Sequence, residues 1–510
     1  MKHVSTKQRV FLTGATGTMG FSGMMELLKD QSEMHLVILV RPSKKNKAML
    51  ASFEGNKSLE IIWGDLTTYQ DVLTCVKDCN IVLHVGGFVS PEADYHPKRT
   101  MEINYGSTVN IVRAIKELKQ ENETKLVYIG TVAQTGDRMP PIHWGRVGDP
   151  IKPSVYDYYA VSKIAAERVV IESELPYWVS LRQTGIIGPA MSGINDAIMF
   201  HNCLNNVLEY VSDRDSGLLL RNLCAKERGA ELGSEFYRRI FNIGGGKDCR
   251  IDTYHLFKRV FDGFGLKKLS YALDSKWFAT RNFHGHFYLD SDKLNQLLDF
   301  QNDGMEYYFQ SYFDRLGPQA KIIKFFTSLP GGQKMIGSNM YKRFLTTAKT
   351  QHGTVRFIEE NMEEHIAAYW GSREAWEAIP PIDDFEWFTD WGHVIHINHG
   401  YDENKPENEL NLSDVKEASR FRGGRCISHD MMQGDWVSKL KYRCAFGHEF
   451  EASPCLILKG GYWCPVCERE SWNYYQRAKV DDFFAQVWNP LHSSVEKEWK
   501  IPKIVSEFDV

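Results

Sequence analysis

The sequence predicts an α/β chain built on a doubly wound parallel sheet, followed by a smaller, less regular region and a small C-terminal domain. Three observations predict it. Over the first 130 residues, short and continuously apolar runs alternate with helical stretches, the pattern of a parallel sheet covered on both faces. Gly14, Gly17 and Gly20 stand where the first run meets the first helical stretch. A group of cysteines is confined to the C-terminal part of the chain.

The elements follow in order. Residues 9–13 form a short apolar strand ending in TGATGTMG, and Met24, Leu27 and Leu28 then recur at helical spacing. Residues 35–40 (HLVILV), 59–63 (LEIIW) and 81–85 (IVLHV) read as buried strands, 110–119 as a helix and 125–129 (KLVYI) as another strand. Ligands of such sheets bind at the carboxyl ends of the strands. From residue 191 to 330 the pattern is less regular, richer in aromatics, and includes FNIGGG at 241–246. A mixed segment, 331–414, ends in the hydrophilic run YDENKPENELNLSD, which has no apolar periodicity and marks a boundary. The expected division is therefore 1–330, 331–414 and 415–510.

Composition narrows the function classes. With 510 residues, 43% of them hydrophobic, the chain can bury a large core and form more than one domain. Its 65 acidic and 61 basic residues leave a net charge of -4. That balance argues against a chain held mainly to nucleic acid or anionic membrane by bulk charge, and leaves room for a local basic patch. No stretch of about 18 apolar residues is present, so no membrane span is expected. The N-terminus runs straight into the first strand signal without a leader pattern, and a cytoplasmic location is expected. Six of the ten cysteines (Cys75, Cys79, Cys203, Cys224, Cys249 and Cys426) are scattered, which fits free thiols better than a disulfide framework.

The glycine triplet has a chemical reading. Glycine permits a tight turn, lets backbone approach a pyrophosphate, and allows the helix to pack close to the sheet. The helix N-terminus then offers free N–H groups to the anion. An NAD-preferring site places a carboxylate after the second strand, to hold the ribose 2′-hydroxyl. Here Arg41 stands there, followed by Pro42, Ser43, Lys44 and Lys45. A guanidinium pairs with a 2′-phosphate, so NADP is expected over NAD. Asp65 and Leu66 follow the third strand, where an aspartate reaches toward an adenine amino group.

YYAVSK contains Tyr159 and Lys163, which share a helix face at i and i+4. A lysine ammonium beside a phenol favours the phenolate, so Lys163 is expected to lower the Tyr159 pKa and make it an acid/base for hydride chemistry. Thr131 ends a strand at the carboxyl edge, and its hydroxyl is placed to hold a substrate oxygen beside Tyr159.

Together these residues resemble the extended short-chain dehydrogenase/reductase family over residues 8–330. The motifs that carry the resemblance are TGATGTMG, Asp65-Leu66, HVGG at 84–87, Asn104, IGTVAQTG at 129–136, YAVSK at 159–163, LRQTGIIGP at 181–189 and FNIGGG. The resemblance implies a Rossmann fold, with Tyr159 as acid/base, Lys163 on the nicotinamide ribose and Thr131 in place of the more usual serine. It implies cofactor contacts at Gly14, Thr16, Gly17, Thr18, Met19, Gly20, Arg41, Ser43, Asp65, Leu66, Gly86, Gly87, Lys163, Gln183, Thr184 and Ile186, and a structural role for Asn104. Nucleotide-sugar 4,6-dehydratases of the family carry Thr-Asp-Glu where this chain has Thr131, Val132 and Ala133. The reductase branch, with dihydroflavonol reductases and 3β-hydroxysteroid dehydrogenases, fits better. Residues 139–158 and the aromatic-rich part beyond are expected to line an apolar, steroid-like pocket or to be core.

At the C-terminus, YRCAFGHEF supplies Cys444 and His448, and GGYWCPVCE supplies Cys464 and Cys467. Two ligand pairs at this spacing match a structural zinc site, with Cys426 or Cys455 as alternatives to His448. The stretch resembles a treble-clef or zinc-ribbon domain, expected to stabilise its own fold and stand apart from catalysis. Three functions compete: an NADP-dependent oxidoreductase interconverting a carbonyl and a secondary alcohol, an NAD-retaining nucleotide-sugar epimerase, and an NADP(H)-sensing protein whose zinc module binds nucleic acid or protein. The intact Thr131, Tyr159 and Lys163 set favours an enzyme with a small-molecule substrate. A homodimer is compatible with the sequence, and nothing in its charge supports nucleic acid.

Overall fold

A computed structural model describes residues 7–188, 196–469 and 473–492. The apolar runs form seven strands: β1 (Gln8–Thr13), β2 (Met34–Val40), β3 (Leu59–Trp63), β4 (Ile81–His84), β5 (Lys125–Thr131), β6 (Trp178–Gln183) and β7 (Arg239–Ile243). They lie in the order β7-β6-β5-β4-β1-β2-β3 and all pair in parallel. The order reverses between β1 and β4, the point at which a doubly wound sheet opens a ligand crevice. Pro189, the last residue of the LRQTGIIGP motif, lies outside the described residues.

Period-2 alternation splits the core into two layers. Val10 and Leu12 of β1 join the apolar cluster of α1 (Thr18–Leu27) and α5 (Asp213–Arg228). Phe11 joins the opposite cluster, with α2 (Tyr69–Val76), α3 (Pro97–Glu117) and α4 (Tyr158–Ile171). The helix expected over 110–119 is thus the last part of α3, which starts at Pro97. Proline suits that first position because its missing N–H has no intrahelical partner to lose.

The C-terminal cysteines sit around a three-stranded antiparallel sheet of β8 (Arg425–Cys426), β9 (Leu440–Arg443) and β10 (Glu449–Ala452). Its Tyr442, Leu456, Tyr462 and Trp463 belong to the same apolar cluster as α3 and α4. Tyr401 and Leu410, inside the hydrophilic run 401–414, are buried in that cluster too. Helix α4 is therefore covered on both sides, and ten of its 14 residues are buried. Burial all round is what a helix between two packed layers requires.

Polar contacts join these layers as well. Glu167 on α4 receives a bidentate pair from Arg182 of β6, at 3.1 and 2.8 Å, and both side chains are buried. The same carboxylate accepts from Ser180 (2.5 Å), Gln134 (2.8 Å) and the Tyr462 phenol (2.6 Å). Arg182 also donates to the Gly460 carbonyl at 2.9 Å. Gly461 has φ +78°, and a Cβ there would meet the Asp149 carbonyl at 2.0 Å. Only glycine lets the backbones approach this closely.

Buried histidines tie strand ends to helices. His84, at the end of β4, contacts Thr13 of β1 through Nδ1 and Thr108 of α3 through Nε2, each at 3.0 Å. Thr13 accepts the Gly86 N–H (2.7 Å) and Thr108 donates to the Asn104 carbonyl (2.8 Å), so the Nε2–H tautomer of a neutral ring satisfies the chain. Burial, with Lys163 nearby, pushes His84 down to about 3. Burial does the same to His286, down to about 3. A ring kept neutral in the fold but protonated when unfolded favours unfolding in acid. Stability is expected to fall as pH drops from about 6.5 toward about 3, by up to about 1.4 kcal/mol per pH unit per histidine. Denaturant titrations across that window should show a flatter slope for His84→Gln than for wild type; equal slopes would mean His84 does not contribute.

Candidate active site and metal cluster

The glycine turn sits at the switch point of the sheet. Gly14 has φ +72°, and a Cβ there would lie 2.7 Å from Gly86 Cα. A Cβ on Gly20 would lie 2.0 Å from the Gly14 carbonyl oxygen. A Cβ on Gly17 would meet nothing nearer than 3.4 Å. Two of the three glycines are thus required by the protein's own packing, and the third is not. A cradle of this form fits a pyrophosphate against the free N–H groups of the helix start. Thr16, Thr18 and Met19 lie on this turn and first helical turn.

Arg41 is exposed just after β2, and its carbonyl accepts from Ser43 N (2.8 Å) and Asn46 Nδ2 (2.9 Å). Ser43 caps the helix that follows, accepting from Asn46 N. The basic side chain therefore stands on a fixed loop at the crevice edge. The Asp65 carboxylate accepts from Thr67 N and Oγ1, at 2.9 and 2.8 Å, and so braces its own turn. The Leu66 carbonyl accepts from Asn110 on α3. Gly86 and Gly87 follow β4, where a Cβ on Gly87 would lie 3.2 Å from Asn104 Oδ1.

Asn104 clamps this loop to the helix beyond it. Its Oδ1 accepts from Phe88 N (2.6 Å), and its Nδ2 donates to the Phe88 carbonyl (2.9 Å) and Ser162 Oγ (2.8 Å). Past β6, Gln183 Nε2 donates to the Thr184 carbonyl, while the buried Gln183 Oε1 has no hydrogen-bond partner among the described residues. Ile186 begins a short strand parallel to Val211.

The structure brings Thr131, Tyr159 and Lys163 together. Thr131 stands at the end of β5, and Tyr159 and Lys163 share one face of α4. The Thr131 hydroxyl accepts from Ala133 N at 3.2 Å, and Thr131 N donates to Gln134 Oε1 at 3.1 Å. Lys163 Nζ donates to the Ile129 carbonyl (2.6 Å) and lies 4.3 Å above the Tyr128 ring. The expected lowering of the Tyr159 pKa is not found. Burial pushes the phenol up to about 12, with the neighbouring Thr131 opposing. The physical reason is that Lys163 is engaged by Ile129 and is itself desolvated: burial brings it down to about 7, and Glu167, one turn further along α4, opposes that shift.

Sequence reasoning missed Asp94, which accepts from Tyr159 N at 3.0 Å. Burial, followed by repulsion from Asp157, pushes its carboxyl up to about 8. Asp157 caps α4 through Ala160 N (2.7 Å). No motif marks Asp94; only the packing of its short helix against the start of α4 brings it there. The segment 331–414 also reaches this wall. His352 stacks on Tyr95 with centroids 3.6 Å apart, and His365 stacks on Tyr156 at 4.3 Å. Within 139–158, by contrast, Met139, Ile142, Ile151 and Val155 are buried core.

The C-terminal residues converge as well. Cys444, His448, Cys464 and Cys467 offer ligand atoms within 4.8 Å of one another. His448 Nδ1 lies 3.3, 3.5 and 3.4 Å from the three sulfurs, and Cys444 Sγ is 3.9 Å from Cys467 Sγ. A tetrahedral zinc with ordinary bond lengths has S–N edges of about 3.6 Å and S–S edges of about 3.8 Å. The donor set and its spacing fit zinc. Cys426 and Cys455, the alternatives to His448, are buried outside this group.

Comparison with known proteins bears on the N-terminal part. Residues 10–215 match the NAD dependent epimerase/dehydratase family. A curated human protein, 3 beta-hydroxysteroid dehydrogenase type 7, is 29% identical over 137 residues, which span 25% of this chain and 36% of the relative. Among solved structures, dTDP-glucose 4,6-dehydratase from Bacillus anthracis is 14% identical, covers 62% of this chain and 99% of its own, and superposes with a TM-score of 0.46. DesIV, a dTDP-glucose 4,6-dehydratase from Streptomyces venezuelae, is 17% identical, covers 61% and 98%, and gives 0.47. Over residues 10–215, which carry most of the Rossmann-type parallel sheet, the chain is thus similar to the NAD dependent epimerase/dehydratase family.

Proposed function

We propose that the chain is an NADP(H)-dependent oxidoreductase that interconverts a carbonyl and a secondary alcohol on an apolar, steroid-like small molecule. The observation that carries this reading is the convergence of Thr131, at the carboxyl edge of the sheet, with Tyr159 and Lys163 of α4, whose Nζ is fixed on the Ile129 carbonyl of the same strand. A nicotinamide cofactor, held by the glycine turn, Arg41 and the Gln183–Ile186 stretch, supplies the hydride when bound. Tyr159 moves the proton at its phenol oxygen, and Thr131 holds the substrate oxygen beside it. Lys163, fixed by Ile129 and brought down to about 7 by burial, offers its ammonium to the ribose and to the phenolate. Val132 and Ala133 leave the site without the Asp-Glu pair of the 4,6-dehydratases, which supports a simple oxidoreductase over that chemistry.

The C-terminal group reads as one structural zinc site held by Cys444, His448, Cys464 and Cys467. Four protein ligands close the coordination shell, so its contribution is to folding.

Two experiments test the proposal. Tyr159→Phe keeps the ring and removes the hydroxyl, so it should cut kcat by about 10²–10⁴-fold while leaving cofactor binding intact. Near-normal turnover would reject Tyr159 as the acid/base. Titration of the wild type should show tighter binding of NADPH than NADH, and Arg41→Ala should shrink that preference by roughly tenfold or more. Equal affinity in the wild type would reject the NADP assignment and favour the epimerase reading.

A further inference from the structure

Between Asp314 and Glu359 the sequence holds eight basic residues and no acidic one: Arg315, Lys321, Lys324, Lys334, Lys342, Arg343, Lys349 and Arg356. The whole chain carries a net charge of -4, so this stretch departs from its background. It folds as a helical hairpin of α6 (Pro318–Ser328) and α7 (Gly332–Ala348). Lys349 and Arg356 pair with Glu359 and Glu360. Lys321, Lys324 and Lys334 are exposed near the hairpin tip, with no ion-pair partner among the described residues.

The apolar pattern of α6 faces the wrong way for a core helix. Ile322, Phe325, Phe326 and Leu329 recur at i, i+3, i+4 and i+7, which is one helix face. They are 54%, 61%, 41% and 43% exposed, and Met335 across the turn is 53% exposed. These are five of the eleven large hydrophobics exposed among the described residues, gathered within 14 positions. The fully buried residues of the hairpin are small: Ala320, Thr327, Gly332, Gly337, Thr347 and Ala348.

The hairpin is nevertheless anchored. Thr327 Oγ1 donates to the Phe264 carbonyl at 2.7 Å, and a Cβ on Gly337 would lie 2.5 Å from Tyr271 Cβ. Ile336, Met340, Tyr341 and Phe344 of α7 pack against the cluster around Phe200, Phe261 and Trp277. The protein thus holds an apolar stripe out toward solvent on a fixed support, on a hairpin that also carries Lys321, Lys324 and Lys334. Contiguous exposed apolar side chains rimmed by polar ones mark an interaction surface.

We propose that this hairpin docks the protein on an anionic lipid bilayer surface, with the α6 stripe set into the headgroup boundary and the lysines on acidic headgroups. The occupant follows from charge complementarity: an acid-free basic tract calls for a negatively charged partner, and an open row of aromatic and aliphatic side chains calls for a partner that takes apolar groups without a shaped pocket. An anionic bilayer offers both. Docking of this kind lies along the surface and needs no spanning helix; no helix among the described residues is long and apolar enough to span.

The test is co-sedimentation of the full chain with two vesicle preparations, phosphatidylcholine alone and phosphatidylcholine mixed with phosphatidylserine. Binding is expected to the phosphatidylserine vesicles, to weaken with added salt, and to be much lower with phosphatidylcholine alone. The double variant Lys321→Gln/Lys324→Gln should lose roughly twenty- to thirtyfold in affinity, about fivefold per lysine. Ile322→Ser/Phe325→Ser should abolish the binding that survives high salt. All four side chains are exposed, so thermal unfolding of both variants should match wild type. The proposal is overturned if wild type ignores phosphatidylserine vesicles, or if both variants bind them as wild type does. It is equally overturned if the wild type ignores the vesicles and instead self-associates in the ultracentrifuge through Ile322 and Phe325, since a second copy would then cover the stripe.

Discussion

The Glu167 carboxylate is the junction on which the described structure turns. It is fully buried at the centre of α4, and a buried charge is stable only when paired and fully hydrogen-bonded. Arg182 supplies the charge and Ser180 a donor from β6, Gln134 supplies one from the turn after β5, and Tyr462 supplies one from the C-terminal module. Four parts of the chain must be in place before this one group is satisfied. Removing either partner of such a pair typically costs about 3–5 kcal/mol, because the other charge is left stranded.

The junction reaches the candidate active site in two steps on each side. Gln134 donates to Glu167 and, through its Oε1, accepts the N–H of Thr131. Lys163 lies one turn before Glu167 on α4, and the Glu167 charge supports its protonated form. Tyr159 and Lys163 occupy the first turns of α4, and the C-terminal module holds the turns that follow, through Tyr462 on Glu167 and on the Ile164 carbonyl. Arg168, next along the helix, adds a second tie, donating to the Trp463 carbonyl and to Glu468 at 3.0 and 2.8 Å. The metal cluster lies just beyond, at Cys464 and Cys467. A module that looks detachable in sequence is in structure the outer wall of the helix that carries Tyr159.

What was legible in the sequence was what is local. Each parallel strand is a continuous apolar run, and the glycine turn, YAVSK and the cysteine pairs state their chemistry within a few residues. Long-range partners were not legible. Glu167 and Arg182 read as ordinary charges of a helix and a strand, and Tyr462 is 295 positions from the carboxylate it serves. Asp94 carries no motif. The lysine–tyrosine spacing was read correctly as one face, but not the outcome for the phenol, because desolvation and the Ile129 carbonyl are set by packing. The α6 stripe has a visible helical period, yet period alone does not say whether a stripe faces the core or the solvent.

The central claim is that the C-terminal cysteine-bearing module and the Rossmann-type sheet form one cooperative body through α4. Calorimetric unfolding of the full chain, with zinc content measured by elemental analysis, tests it most directly when wild type is compared with Cys464→Ser. The account predicts about one zinc per wild-type chain, its loss in the variant, and a downward shift of the main unfolding transition, the one that carries the sheet. A variant that loses its zinc while the main transition stays unmoved, with only a small separate transition disappearing, would contradict it.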